Sequence, residues 1–90
     1  MREIYVLCIG SNPVNMKLKG GNPQVAFTNK ILAEKYLEVR GLNKDIKAVN
    51  IKELKLKDNM GIIIEDKETA VKLLTDAANF DPQRYYKVLE

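Results

Sequence analysis

Apolar and polar positions change their rhythm several times along this chain, and each rhythm predicts an element. Residues 3–9, Glu-Ile-Tyr-Val-Leu-Cys-Ile, are apolar almost throughout and read as a central strand buried on both faces. Gly10-Ser11-Asn12-Pro13 is turn chemistry. Val14, Met16 and Leu18 then alternate with Asn15, Lys17 and Lys19, the two-residue period of a half-exposed strand. A second turn, Gly20-Gly21-Asn22-Pro23, leads to a third strand at Gln24–Phe27. The alternative keeps residues 10–23 as one long irregular loop.

From Thr28 to Arg40 the period becomes helical. Leu32, Ala33, Tyr36 and Leu37 form a stripe that must be buried. Thr28 stands where an N-cap is expected, with Phe27 and Leu32 spaced as a hydrophobic staple around it. Gly41 is free to adopt positive φ at the C-terminus, and Leu42 could fold back on Leu37. After a turn at Asn43-Lys44-Asp45, Ile46–Leu56 carries a strand pattern with a fault. Val49 and Ile51 define one face and Leu54 and Leu56 the other, so a bulge or break belongs at Lys52-Glu53.

Asp58-Asn59-Met60-Gly61 reads as a turn and Ile62–Ile64 as a short buried strand. Asp66 can cap a second helix with a wide stripe of Ala70, Val71, Leu73, Leu74, Ala77 and Ala78, ending near Asn79. Asp81-Pro82 could start a short helix, whereas Tyr85, Tyr86 and Val88 favour a last strand, the preferred reading. The order β-β-β-α-β-β-α-β predicts an α+β fold: a two-layer sandwich with a mixed, mostly antiparallel sheet and two helices on one face.

Size and composition narrow the classes. Ninety residues make one domain with a single core, and covering extra surface by forming a homodimer would suit so thin a stability margin. No apolar run approaches the roughly 20 residues of a membrane helix, and no signal-peptide pattern opens the chain. The single Cys8 falls in a strand and fits a reducing, cytoplasmic setting as a buried thiol. Net charge is +3, but residues 1–57 hold 11 Lys/Arg against 5 Asp/Glu, and residues 58–90 hold 4 against 7.

The basic part motivates the first functional expectation, a non-catalytic module for an anionic partner such as nucleic acid or a nucleotide. Lys17 and Lys19 share one strand face, Lys55 and Lys57 share another, and Lys52 lies at the fault. Ser11, Asn12 and Asn22 add neutral donors in the turns. The same lysines also serve simply to solvate and protect sheet edges. Aromatic residues are scarce, and Tyr5, Phe27 and Tyr36 fall at expected core positions, so no stacking platform for bases is evident.

Catalytic chemistry has little to work with. The chain lacks histidine, has one cysteine and one serine, and contains no phosphate-loop or zinc spacing. The expectation is therefore a non-enzyme without metal or cofactor.

Two resemblances remain. Tyr5–Asn12 resembles the opening strand and Gly-Ser-Asn turn of the pterin pyrophosphokinases, but those longer enzymes use His and Asp residues that have no counterpart here. Glu3–Leu7, Val25–Lys30 and Ala33–Leu37 together are similar to small phage and bacterial α+β proteins of unknown role. That resemblance covers about half the chain and implies an origin in a mobile element. It yields the second expectation, a protein that binds and modulates a host protein, for example in a defence system. An edge strand at Val14–Lys19 could pair with such a partner, with Met16 and Leu18 either supplying apolar contact or facing the core.

Overall fold

β1 (Tyr5–Ile9) runs through the middle of a six-stranded sheet, and its apolar sequence follows from that position. Leu7 faces one hydrophobic cluster, while Val6 and Cys8 face another on the opposite side of the sheet. The computed structural model describes residues 3–19, 21–41, 45–55 and 60–89. Lys57, the return of Leu42 onto Leu37, the face taken by Leu56, and the turn residues Gly20, Asn43, Lys44, Asp58 and Asn59 lie outside the described residues.

β4 (Ile46–Asn50) pairs antiparallel along one edge of β1, from Tyr5 opposite Asn50 to Ile9 opposite Ile46. A strand has two edges, and two short strands share the other one. β2 (Asn12–Pro13) lies opposite Ile9 and Cys8, and β3 (Val25–Phe27) lies opposite Val6 and Tyr5. β5 (Met60–Ile64) joins β3 in parallel, and β6 (Tyr86–Val88) closes the far side antiparallel to β5. With α1 (Lys30–Arg40) and α2 (Lys67–Thr75) this is the expected α+β architecture with a mixed, mostly antiparallel sheet. Both helices pack on one face: Ala33, Tyr36, Ala70 and Leu73 meet Leu7, Val25, Phe27, Ile62 and Ile64 there. Among the described residues no helix is long and apolar enough to cross a membrane.

Among the described residues no α-helix packs on the reverse face. Ile4, Val6, Cys8, Ala26, Ile63 and Leu89 are buried together, with Val49, Ile51 and Leu54 packed against them. Burial pushes the Cys8 thiol up from 9.0 to about 11, so it stays protonated at neutral pH. The fault expected at Lys52-Glu53 is a 3₁₀ turn over Ile51–Glu53, capped by the Asn50 side chain, which accepts from the Lys52 N–H at 3.0 Å. The turn brings Leu54 to the same cluster as Val49 and Ile51, correcting the expectation that it faces the other way.

Other boundaries move for identifiable reasons. Thr28 is not the N-cap of α1. Its N–H donates to the Ile64 carbonyl at 3.2 Å, which keeps it in line with the sheet. Asn29 caps instead, its Oδ1 accepting from Ile31 N at 2.8 Å and Leu32 N at 3.2 Å. The Phe27–Leu32 staple is lost with that shift, and the Phe27 ring packs against Tyr36, with centroids 5.3 Å apart. At the other end Gly41 has φ of 64° and donates to the Leu37 and Glu38 carbonyls, as the sequence suggests.

Asp66 caps α2 as expected, accepting from Thr69 N at 2.7 Å. α2 stops at Thr75, short of the expected Asn79, and a separate 3₁₀ turn spans Ala77–Asn79. Met60 and Gly61 belong to β5 rather than to a turn. Gly61 is needed there because a Cβ would lie 2.8 Å from the Gln24 carbonyl oxygen, which accepts from Ile62 N. Asp81-Pro82 starts a 3₁₀ turn over Pro82–Arg84 and the strand follows it, so both alternatives for this segment occur in sequence.

The Val14–Lys19 strand is the main topological correction. Val14 N still donates to Leu7 O at 2.9 Å, but β3 takes the next position along β1. Residues 15–24 have no edge of β1 left and pair with themselves, through bridges Asn15–Gln24 and Leu18–Gly21. This hairpin folds onto the helix side, where Met16 and Leu18 pack against the core and Tyr36 Oη donates to Met16 Sδ at 3.5 Å. Val14–Lys19 is therefore not an edge strand of the sheet.

Candidate functional site

The basic and polar residues singled out from the sequence fall in three places. Ser11 and Asn12 lie beyond Ile9, at one end of the β1–β4 pairing. Lys52 and Lys55 follow Asn50 at the other end, beside the reverse-face cluster. Lys17, Lys19 and Asn22 sit together on the hairpin, all exposed. The structure thus places Ser11 and Asn12 at the opposite end of the β1–β4 pairing from Lys52 and Lys55, and brings together the hairpin set. Even there the cationic field is diluted, because Lys19 lines a groove of about 260 Å³ with Phe80, Asp81 and Pro82. Asn22 is partly committed, since its carbonyl accepts from Asn15 Nδ2 at 2.7 Å. Of the aromatic rings, Phe27 and Tyr36 are buried and Phe80 stacks on Tyr85 at 4.8 Å, whereas Tyr5, expected in the core, is only partly buried and belongs to neither core cluster.

A different surface is better formed. α1 and α2 lie side by side, and the groove between them, about 540 Å³, is lined chiefly by apolar groups. Ile31, Lys35 and Val39 make one wall, and Lys67, Val71 and Thr75 make the other. Both sets recur at i, i+4 and i+8, the spacing of a ridge along a helix surface. Leu32, Tyr36 and Leu74 form the floor. Ile31 is 78% exposed, Val39 60% and Val71 44%, so a large part of their apolar surface faces solvent rather than the core. The charged side chains lining the groove among the described residues are two lysines, Lys35 and Lys67. Glu34 and Glu38 lie on the outer flank of α1, beside Ile31 and Lys35.

Burial raises the Tyr36 hydroxyl above its ordinary pKa, partly countered by the Arg40 charge, so it is a neutral group at the floor. An apolar floor, Ile31, Val39 and Val71 on the walls and two ammonium groups can hold an apolar body that carries negative charge at its margins. Sequence periodicity identified the inner stripe of α1 and missed the outer ridge. The signal was present, since Ile31 and Val39 repeat at eight residues outside the stripe that the core needs. Val71 was assigned to the inner stripe of α2, where Ala70 and Leu73 alone are buried.

Among the described residues no three His, Cys, Asp or Glu side chains converge as metal ligands would. Compared with models of protein families, with curated proteins and with solved structures, the chain finds no match.

Proposed function

We propose that this chain is a non-catalytic binding module that seats an amphipathic, acidic helix of a partner protein between α1 and α2. The observation that carries the reading is the exposed apolar valley walled by one ridge from each helix and edged with Lys35 and Lys67. Ridges spaced at i, i+4 and i+8 accept the ridge of a third helix, and helix-in-groove recognition works through such anchors. Burying a residue such as Ile31 or Val39 contributes about 2 kcal/mol each to docking. The lysines select for Asp or Glu beside the apolar stripe and disfavour basic helices. A host protein bearing such a helix fits the mobile-element reading of the sequence.

The test is selection from a displayed library of amphipathic helical peptides, followed by affinity measurement on groove variants. Recovered binders should carry acidic residues flanking apolar positions, and Ile31→Lys should weaken them at least ~10-fold. Binders indifferent to Ile31→Lys and Val71→Lys, or enriched in Lys and Arg, would overturn the reading.

A second reading, an anionic partner, is supported by the exposed Lys17 and Lys19 on the hairpin. It predicts binding of single-stranded DNA or RNA that falls steeply with salt and weakens in Lys17→Glu/Lys19→Glu. No binding at low salt removes it and leaves the groove reading intact.

A further inference from the structure

We infer that β4 is a self-pairing edge, through which two copies of this chain join their sheets antiparallel into one. Ile51 N donates to Ile4 O at 2.9 Å, and the register places these two residues opposite each other. Bonding alternates along an antiparallel pair, so Val49 and Lys47 also turn their backbone groups toward β1. On β1 the same phase turns Leu7 to the other edge, where its carbonyl accepts from Val14. Ile46 and Ala48 therefore present their N–H and C=O groups away from the sheet, and among the described residues no strand other than β1 pairs with β4.

Edges of this kind are normally blunted by charged side chains, lysine above all, by proline, a bulge, very short length or a covering element, and of these β4 carries Lys47. β6, at the far side of the sheet, is three residues long and pairs Lys87 with Glu65 at 3.6 Å. β4 is five residues long, regular and without proline. α1 packs over the helix-side face of β4, where Leu37, Ile46 and Ala48 join the core, and a groove of about 400 Å³ lined by Lys30, Glu34 and Lys47 opens beside them. That space can receive the side chains that a neighbouring strand brings to the helix side.

The strand's own sequence points to a second copy as occupant. A two-fold axis through Ala48 sets Ala48 against its counterpart as a reciprocally bonded pair. Lys47 then lies opposite Val49 of the second copy. Shifting the axis to Lys47 would instead place two ammonium groups directly opposite each other, which disfavours that register. The groove rim carries both signs, Lys30 and Glu34, and two such rims meeting across a two-fold can pair. This inference stands independently of the α1–α2 groove, which lies on a different side of α1.

Two measurements test it on the intact chain. In sedimentation equilibrium over rising concentration, the mass should climb toward twice the 10.2 kDa of one chain. Ala48→Pro should hold it at one chain while far-UV circular dichroism stays unchanged, because proline removes an outward N–H and is tolerated at such edge positions. On the unmodified protein, exchange of the Ile46 and Ala48 amides should slow at least ~10-fold between dilute and concentrated samples, while the Lys47 and Val49 amides stay protected throughout. A monomer at millimolar concentration, a dimer that persists in folded Ala48→Pro, or Ile46 and Ala48 amides whose exchange ignores concentration would each overturn the inference.

Discussion

The two faces of α1 both carry apolar residues and use them in opposite ways. Tyr36 and Ala33 are 1% and 0% exposed and close the core over β1, β3 and β5. Ile31 and Val39, on the same 11-residue helix, are more than half exposed, so a large part of their apolar surface faces solvent. Hydrophobicity alone therefore does not assign a residue to the fold. The inner set is fixed by what lies under it, and the outer set has meaning only if something lies over it. α2 repeats the contrast with Leu73 inside and Val71 outside.

This contrast can be broken most severely from the inside. Tyr36→Ala should cost about 3–5 kcal/mol, because it removes a buried ring, its contact with Phe27 and its hydroxyl bond to Met16. For a chain of this length that is a large part of the roughly 5–15 kcal/mol available, and urea unfolding should show a protein at or near the unfolded baseline. Leu73→Ala should follow at about 2–5 kcal/mol, whereas Val71→Ala should stay within about 0.5 kcal/mol in the same assay. Equal losses for Leu73 and Val71 would erase the distinction between the two faces.

Smaller effects sharpen the boundaries of α1. Asn29→Ala should cost about 1 kcal/mol by uncapping two N–H groups, and Thr28→Ala should cost less because its side chain does not cap. The reverse order would restore the cap that the sequence first suggests. Other changes come with pH. Cys8 has a folded pKa of about 11 against 9.0 unfolded, so the unfolded chain loses its proton first. Its share of stability is intact below pH 9 and declines as pH rises from about 9 to 11, and Cys8→Ala should flatten that part of the curve. Asp66 works in the other direction. The Thr69 hydrogen bonds hold its pKa below 3.8, so its contribution is present above that value and is lost as pH falls below it.

Much of this architecture was legible in the spacing of apolar residues. β1, the Ile62–Ile64 strand, both helices, the break at Lys52-Glu53 and the Asp66 cap follow from local rules, since neighbours in sequence decide them. The hairpin at 15–24 was not legible, because its departure from the sheet depends on β3 occupying β1 first. Thr28 was misread for a similar reason: the Ile64 carbonyl that holds it comes from a strand more than thirty residues away. The lysines were visible as charges, but their placement depends on which end of β1 each loop leaves from. The groove was half legible, with the repeat of Ile31, Lys35 and Val39 on the page and the matching ridge of α2 hidden until the helices were set side by side.

The most direct test of the outer face is a triple variant, Ile31→Lys/Val39→Lys/Val71→Lys, measured for both urea midpoint and binding of a selected acidic amphipathic helix. A docking surface predicts a midpoint close to that of the unmodified chain and binding reduced beyond detection. An unfolded triple variant, or one that binds the helix as well as before, would contradict it.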